Sequence, residues 1–90
     1  MVDGGEGTVA MLEAFMLIQV DAGAGSKVRH EISSIPAVRI AHSVTGPYDL
    51  VARVQVEDMD WLGALLSDIQ QVPGVLRTLT CIVKGMGHKA

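Results

Sequence analysis

Apolar residues alternate along Glu13–Val20 in a way that leaves neither face polar. Ala14, Met16, Ile18 and Val20 take one side, and Phe15, Leu17 and Gln19 the other. A period of two with both faces largely apolar predicts a central strand covered on two sides. The period then changes. After the loop Asp21–Ser26, which ends in a residue type that caps helices, Val28, Ile32 and Ile35 recur at spacings of four and three. That stripe predicts a short amphipathic helix with Ser26 as its N-cap. Lys27, Arg29, His30, Glu31 and Ser34 fill the polar side, so His30 reads as a surface residue. Pro36 stops the helix, because the residue before a proline avoids helical angles.

Alternation returns over Val38–Thr45, with Val38, Ile40, His42 and Val44 expected on one face and Arg39, Ala41, Ser43 and Thr45 on the other. Gly46-Pro47 interrupts it, and Tyr48–Val56 resumes it, with Leu50, Ala52, Val54 and Val56 opposite Val51, Arg53 and Gln55. Two such runs around a Gly-Pro pair predict a hairpin at mid-chain. Asp58 is the expected cap of a second, longer helix, whose stripe is Met59, Leu62, Leu65, Leu66, Ile69 and Val72. Trp61 lies off the centre of that stripe and is expected to cover its edge. Pro73-Gly74 closes the helix. Val75–Val83 is the last strand, with Leu76, Thr78, Thr80 and Ile82 opposite Arg77, Leu79 and Cys81.

The junction Ile35-Pro36-Ala37-Val38 is echoed by Val72-Pro73-Gly74-Val75, so two β-α-β units follow one another. Right-handed crossovers then give a ferredoxin-like βαββαβ sandwich of the α+β class. Its four-stranded antiparallel sheet has the first and third strands in the middle and both helices on one face. The uncovered face is mixed and can pair with another copy, making the expected protein a dimer through its sheets. The domain spans residues 12–84, between a glycine-rich N-terminal segment, 1–11, and a C-terminal tail, 85–90, both expected to be flexible.

Composition narrows the picture. Ninety residues suffice for one domain, and a hydrophobic share of 49% with only Phe15, Tyr48 and Trp61 as aromatics implies an aliphatic core. So much aliphatic surface in a small body favours self-association. The net charge is −3, and the seven Lys and Arg residues are scattered, which argues against a nucleic-acid footprint. Cys81, the single cysteine, sits in the apolar run Leu79–Val83 and reads as a buried, inert thiol. No apolar run approaches the ~18 residues of a membrane span. A soluble, reduced, cytoplasmic protein is expected.

The candidate chemistry lies at the hairpin. Tyr48 and Asp49 follow Gly46 directly, which places a phenol and a carboxylate at one end of the sheet beside exposed backbone donors. A small polar ligand suits such a place. In the structural reading, Asp49 bonds turn amides and Tyr48 packs the corner. Elsewhere the chemistry is thin. His30, His42 and His88 fall on a helix face, a strand and a tail, so no metal site and no cofactor are implied. Ser33 and Ser34 lack a nucleophile elbow, and His42 with Asp49 is the one conceivable acid-base pair. Gly23-x-Gly25 lacks the third glycine of a dinucleotide loop.

The segment Thr45-Gly46-Pro47-Tyr48-Asp49-Leu50, preceded by Ile35-Pro36-Ala37-Val38 and followed by Glu57-Asp58-Met59-Asp60-Trp61-Leu62, resembles the effector-binding domain of the leucine-responsive, or feast/famine, regulators. This is the RAM domain of the Lrp/AsnC family, and the similarity runs over about residues 13–83. The resemblance implies the same sandwich, paired through open sheet faces into dimers and often assembled into octamers, with free amino acids bound between subunits near the hairpin. It implies that Gly46 lies against the effector, that Tyr48 and Asp49 shape and polarise the pocket, and that Thr45 and Ser43 add hydroxyls. It also implies a role in transcription regulation. Full-length members carry a helix-turn-helix domain ahead of this one, so a stand-alone form is expected here, sensing an amino acid and joining or modulating full-length relatives. A purely structural oligomerisation unit is the alternative. A small dimeric α+β-barrel enzyme is a further one, disfavoured because helix-facing strand positions are almost all aliphatic and offer no catalytic group.

Overall fold

The first strand, β1 (Leu12–Val20), pairs on both edges and organises everything else. The computed structural model describes residues 11–85. In chain order β1 is followed by α1 (Gly25–Ser33), β2 (Val38–Ser43), β3 (Leu50–Val56), α2 (Met59–Gln70) and β4 (Val75–Ile82). The sheet order is β2-β3-β1-β4, with all pairs antiparallel and the first and third strands in the middle. This is the expected ferredoxin-like α+β sandwich. The two segments expected to be flexible fall, apart from Met11 and Gly85, outside the described residues.

Period-two burial explains the packing. Ala14, Met16, Ile18 and Val20 of β1 and Leu50, Ala52, Val54 and Val56 of β3 form one buried sheet face. Val28 and Ile32 of α1 and Leu62, Leu65 and Ile69 of α2 close over it in a single core. Asp58 caps α2 as expected, its Oδ1 accepting from the Trp61 amide at 2.9 Å. Among the described residues no helix lies over the other sheet face. Phe15, Leu17, Val51 and Leu79 lie there with Cys81 and the ion pair Arg53–Glu13, whose Nη1 and Oε2 are 2.8 Å apart.

Several expected positions are corrected. A β-bulge at Arg39 reverses the alternation of β2: Val38 pairs with Val54 on the helix side, whereas Ile40 and His42 pair with Arg53 and Val51 on the open side. A second irregularity, where Val20 pairs with Val75 but Gln19 with Arg77, leaves Leu76 unpaired and exposed. Cys81 is exposed rather than buried, because its run lies opposite Phe15 on the uncovered face. Met59 is exposed at the outer end of α2. α1 starts earlier than predicted, with Ala24 at its N-cap and no side-chain cap, so Ser26 lies inside the helix.

Gly74 ties the second half of the chain to the first. Its φ is 101°, and a Cβ there would stand 3.1 Å from both Ala24 Cβ and Val28 Cγ2. Its carbonyl accepts from the Asp21 amide at 2.8 Å, fixing the β1–α1 loop. Gly74→Ala is therefore expected to lose roughly 1–3 kcal/mol through backbone strain and crowding. The corresponding fall in Tm is at least about 4 °C, and an unchanged thermal transition would show that the loop yields freely.

Candidate functional site

The link between β2 and β3 is longer than a Gly-Pro turn. The strands stop at Ser43 and resume at Leu50, leaving residues 44–49 between them. Pro47 brings no amide for a ladder, and Gly46 takes φ 157°, a backbone state that side chains rarely adopt. Asp49 anchors this link three times. Its amide donates to the Ile18 carbonyl at 2.9 Å, and its carbonyl accepts from the Val44 amide at 2.9 Å. Its Oδ2 accepts from the Val20 amide, also at 2.9 Å. The Val20 amide is available because the β1–β3 ladder ends at the Ile18–Leu50 pair. The carboxylate thus does bond a backbone amide, as the structural reading expects, but that of β1 rather than of the turn.

Beside this anchor is an open cleft of about 340 Å³. Ser43 and Asp49 line it from the hairpin side, and Asp21, Gly25 and Ser26 from the β1–α1 loop and the start of α1. With no side-chain cap on α1, the first backbone amides of that helix, which begins at the lining residues Gly25 and Ser26, keep free donors and a partial positive charge. Oδ1 of Asp49 has no hydrogen-bond partner among the described residues. The arrangement offers an anionic acceptor and backbone donors within one small cavity, as a dipolar molecule requires.

Of the five expected site residues, the cleft brings together Ser43 and Asp49 but not Thr45, Gly46 or Tyr48. Tyr48 turns away to β4, where its hydroxyl accepts from Arg77 Nη2 at 3.3 Å and the guanidinium carbon stands 5.9 Å from the ring centroid. A Cβ built on Gly46 meets nothing within 4 Å, so the backbone there is open to approach. His42 and Asp49 are not brought together as an acid-base pair, since His42 faces the open side with Val51. The sequence reading misses Asp21, Gly25, Ser26, Arg29 and Arg77. The Gly23-x-Gly25 loop is the available signal, because glycines leave backbone amides uncovered whether or not a nucleotide loop is present.

A second cleft of about 350 Å³ at the far end of the sheet is lined by Glu13, Glu57 and Val83 and holds none of the expected residues. Among the described residues no three His, Cys, Asp or Glu side chains could share a metal ion. No helix among them is long and apolar enough to cross a membrane.

A family model described as the Lrp/AsnC ligand binding domain matches residues 13–85. The HTH-type transcriptional regulator FL11 of Pyrococcus horikoshii is 34% identical over 70 residues, which are 78% of this chain and 46% of that protein. A homocitrate synthase of Sulfurisphaera tokodaii is 29% identical over 73 residues, 80% of this chain but only 16% of the enzyme. The crystal structure of TTHA0845 from Thermus thermophilus superposes with a TM-score of 0.82 at 33% identity, covering 87% of this chain and 99% of that one. The chain spans about half the length of the curated regulator relatives it matches.

The Asp49 anchor can be tested apart from any ligand. Asp49→Ala should lower stability by roughly 1–2 kcal/mol, the cost of leaving a partly buried amide unpaired. Asp49→Asn keeps an acceptor oxygen and should lose much less. Equal denaturation midpoints for the two variants would show that the Val20 bond contributes nothing.

Proposed function

The chain belongs to the Lrp/AsnC ligand-binding domain family, and from that premise we propose that it is a self-associating regulatory module whose effector is a free α-amino acid. The observation that carries this reading is the cleft in which Ser43 and Asp49 face the uncapped start of α1. An α-amino acid presents an ammonium group for the free oxygen of Asp49 and a carboxylate for donors across the cleft. A volume of about 340 Å³ suits a molecule of that size. Gly46, Thr45 and Tyr48 sit at the same end of the sheet, where a neighbouring subunit could complete the pocket.

The open sheet face supports pairing. Phe15, Ile40 and Leu79 are 39%, 45% and 47% exposed on one side of the sheet, and apolar side chains gathered on one face suit a protein contact. A second copy covers it in a homodimer, and dimers assemble further, to octamers or similar rings. The same face would let the module join full-length regulators and act on transcription without touching DNA itself. The match within homocitrate synthase covers too little of that enzyme to suggest catalysis, and supports a portable accessory module. The competing reading, a structural oligomerisation unit with no ligand, draws on the same open face.

The deciding experiment is a thermal-shift screen against the common free amino acids. A ligand at 100 times its dissociation constant adds about 2.7 kcal/mol, a clear rise in Tm for a domain of this size. One or a few stabilising amino acids are expected, and a flat screen at high concentration would leave the structural unit. Assembly has its own test. Leu79→Glu puts a charge in the middle of the open face and should shift sedimentation towards monomer, whereas an unaltered profile would remove that face from the interface.

A further inference from the structure

Arg29 is a cation tied by a hydrogen bond to a residue that lines the cleft. Its Nη1 donates to Ser43 Oγ at 3.0 Å, and Ser43 lines the cleft together with Asp49. Arg29 lies one turn into α1, beyond the Gly25 and Ser26 that form the opposite wall. Among the described residues the ion pair is Arg53 with Glu13, and no carboxylate stands within 4.0 Å of Arg29. Most of its five N–H donors are therefore uncommitted, in the planar fork that suits a carboxylate. The cleft also holds Asp21 and Asp49, which oppose a ligand of net negative charge. A molecule carrying both charges satisfies every wall.

We propose that Arg29 is the carboxylate-reading residue of this cleft: seated by Ser43, its guanidinium receives the carboxylate of an α-amino acid whose ammonium group rests against Asp49. The proposal deepens the amino-acid reading above and rests on it. It separates two recognition roles by element, with the hairpin supplying the anionic acceptor and α1 the cation. Ser43 joins the two, since its hydroxyl accepts from Arg29 and can still donate to the ligand.

The test compares each amino acid with the amine left when its carboxylate is removed. The probes are L-leucine with 3-methylbutylamine, L-phenylalanine with 2-phenylethylamine, and L-alanine with ethylamine, together with any other amino acid that stabilises the protein. Binding is measured calorimetrically on the full chain and on Arg29→Gln, Arg29→Lys, Ser43→Ala and Arg39→Gln. Arg39 bonds Gln55 at 3.1 Å outside the cleft and controls for loss of one positive charge. The wild type should prefer the amino acid to its amine, and Arg29→Gln should weaken the amino acid roughly ten- to hundredfold while leaving the amine unchanged. Arg29→Lys and Ser43→Ala should lose part of the preference, and Arg39→Gln none of it. An Arg29→Gln protein that keeps the wild-type preference would overturn the assignment and leave the amino-acid site standing. Failure of every probe to bind the wild type would overturn the site and the assignment together.

Discussion

Backbone pairing of β1 on both edges is the constraint from which the other features follow. A strand flanked by β3 and β4 must present one face to each side of the sheet, and nearly all its side chains are apolar. The two helices return to the same side because both crossovers are right-handed, so they cover only one of those faces. Met16 and Ile18 are completely buried, while Phe15, on the other face of the same strand, is 39% exposed. The one-sided core and the apolar open face are thus two results of one topology.

Where the chain follows a simple period, its structure is legible. The strand and helix order, the Asp58 cap, the Pro-based helix stops and the core faces of β1 and β3 all follow from spacing and local propensity. What escapes is set by events that leave the pattern intact but change its phase. At Arg39 one extra residue reverses the faces of β2, and nothing in Val38–Ser43 advertises it, since both phases place an aliphatic residue on each side. Leu76 departs from its expected place for the same reason on β4. An apolar run such as the one around Cys81 is ordinarily buried, yet burial depends on whether a face has a partner, and that is not a local property.

The site is legible by residue but not by side. Ser43 and Asp49 reach the cleft, whereas Tyr48, next to Asp49 in sequence, turns to Arg77. Tyr48 and Asp49 both lie in the bent link before β3, where side-chain direction is set by the local backbone and not by the strand period. Arg29 and the uncapped α1 amides cannot be found by looking at the hairpin at all. Arg29 meets the cleft residue Ser43 because α1 packs beside β2, a tertiary fact, and the amides are uncapped because Ala24, which has no hydrogen-bonding side chain, stands at the cap.

The hairpin link touches both the cleft and the rim of the open face. Asp49 fastens it to β1 through Ile18 and Val20, and Tyr48 fastens it to β4 through Arg77. On the reading proposed above, a ligand held by Asp49 would settle the conformation of residues 44–49, and with it the position of Tyr48 beside the face that a second copy covers. Effector binding and assembly would then share a physical element six residues long. Linkage requires the effect to run both ways: whatever assembly does to the affinity of the cleft, the ligand does to the affinity of the faces. Coupling of this kind needs a segment held firmly enough to transmit a change and lightly enough to have two positions.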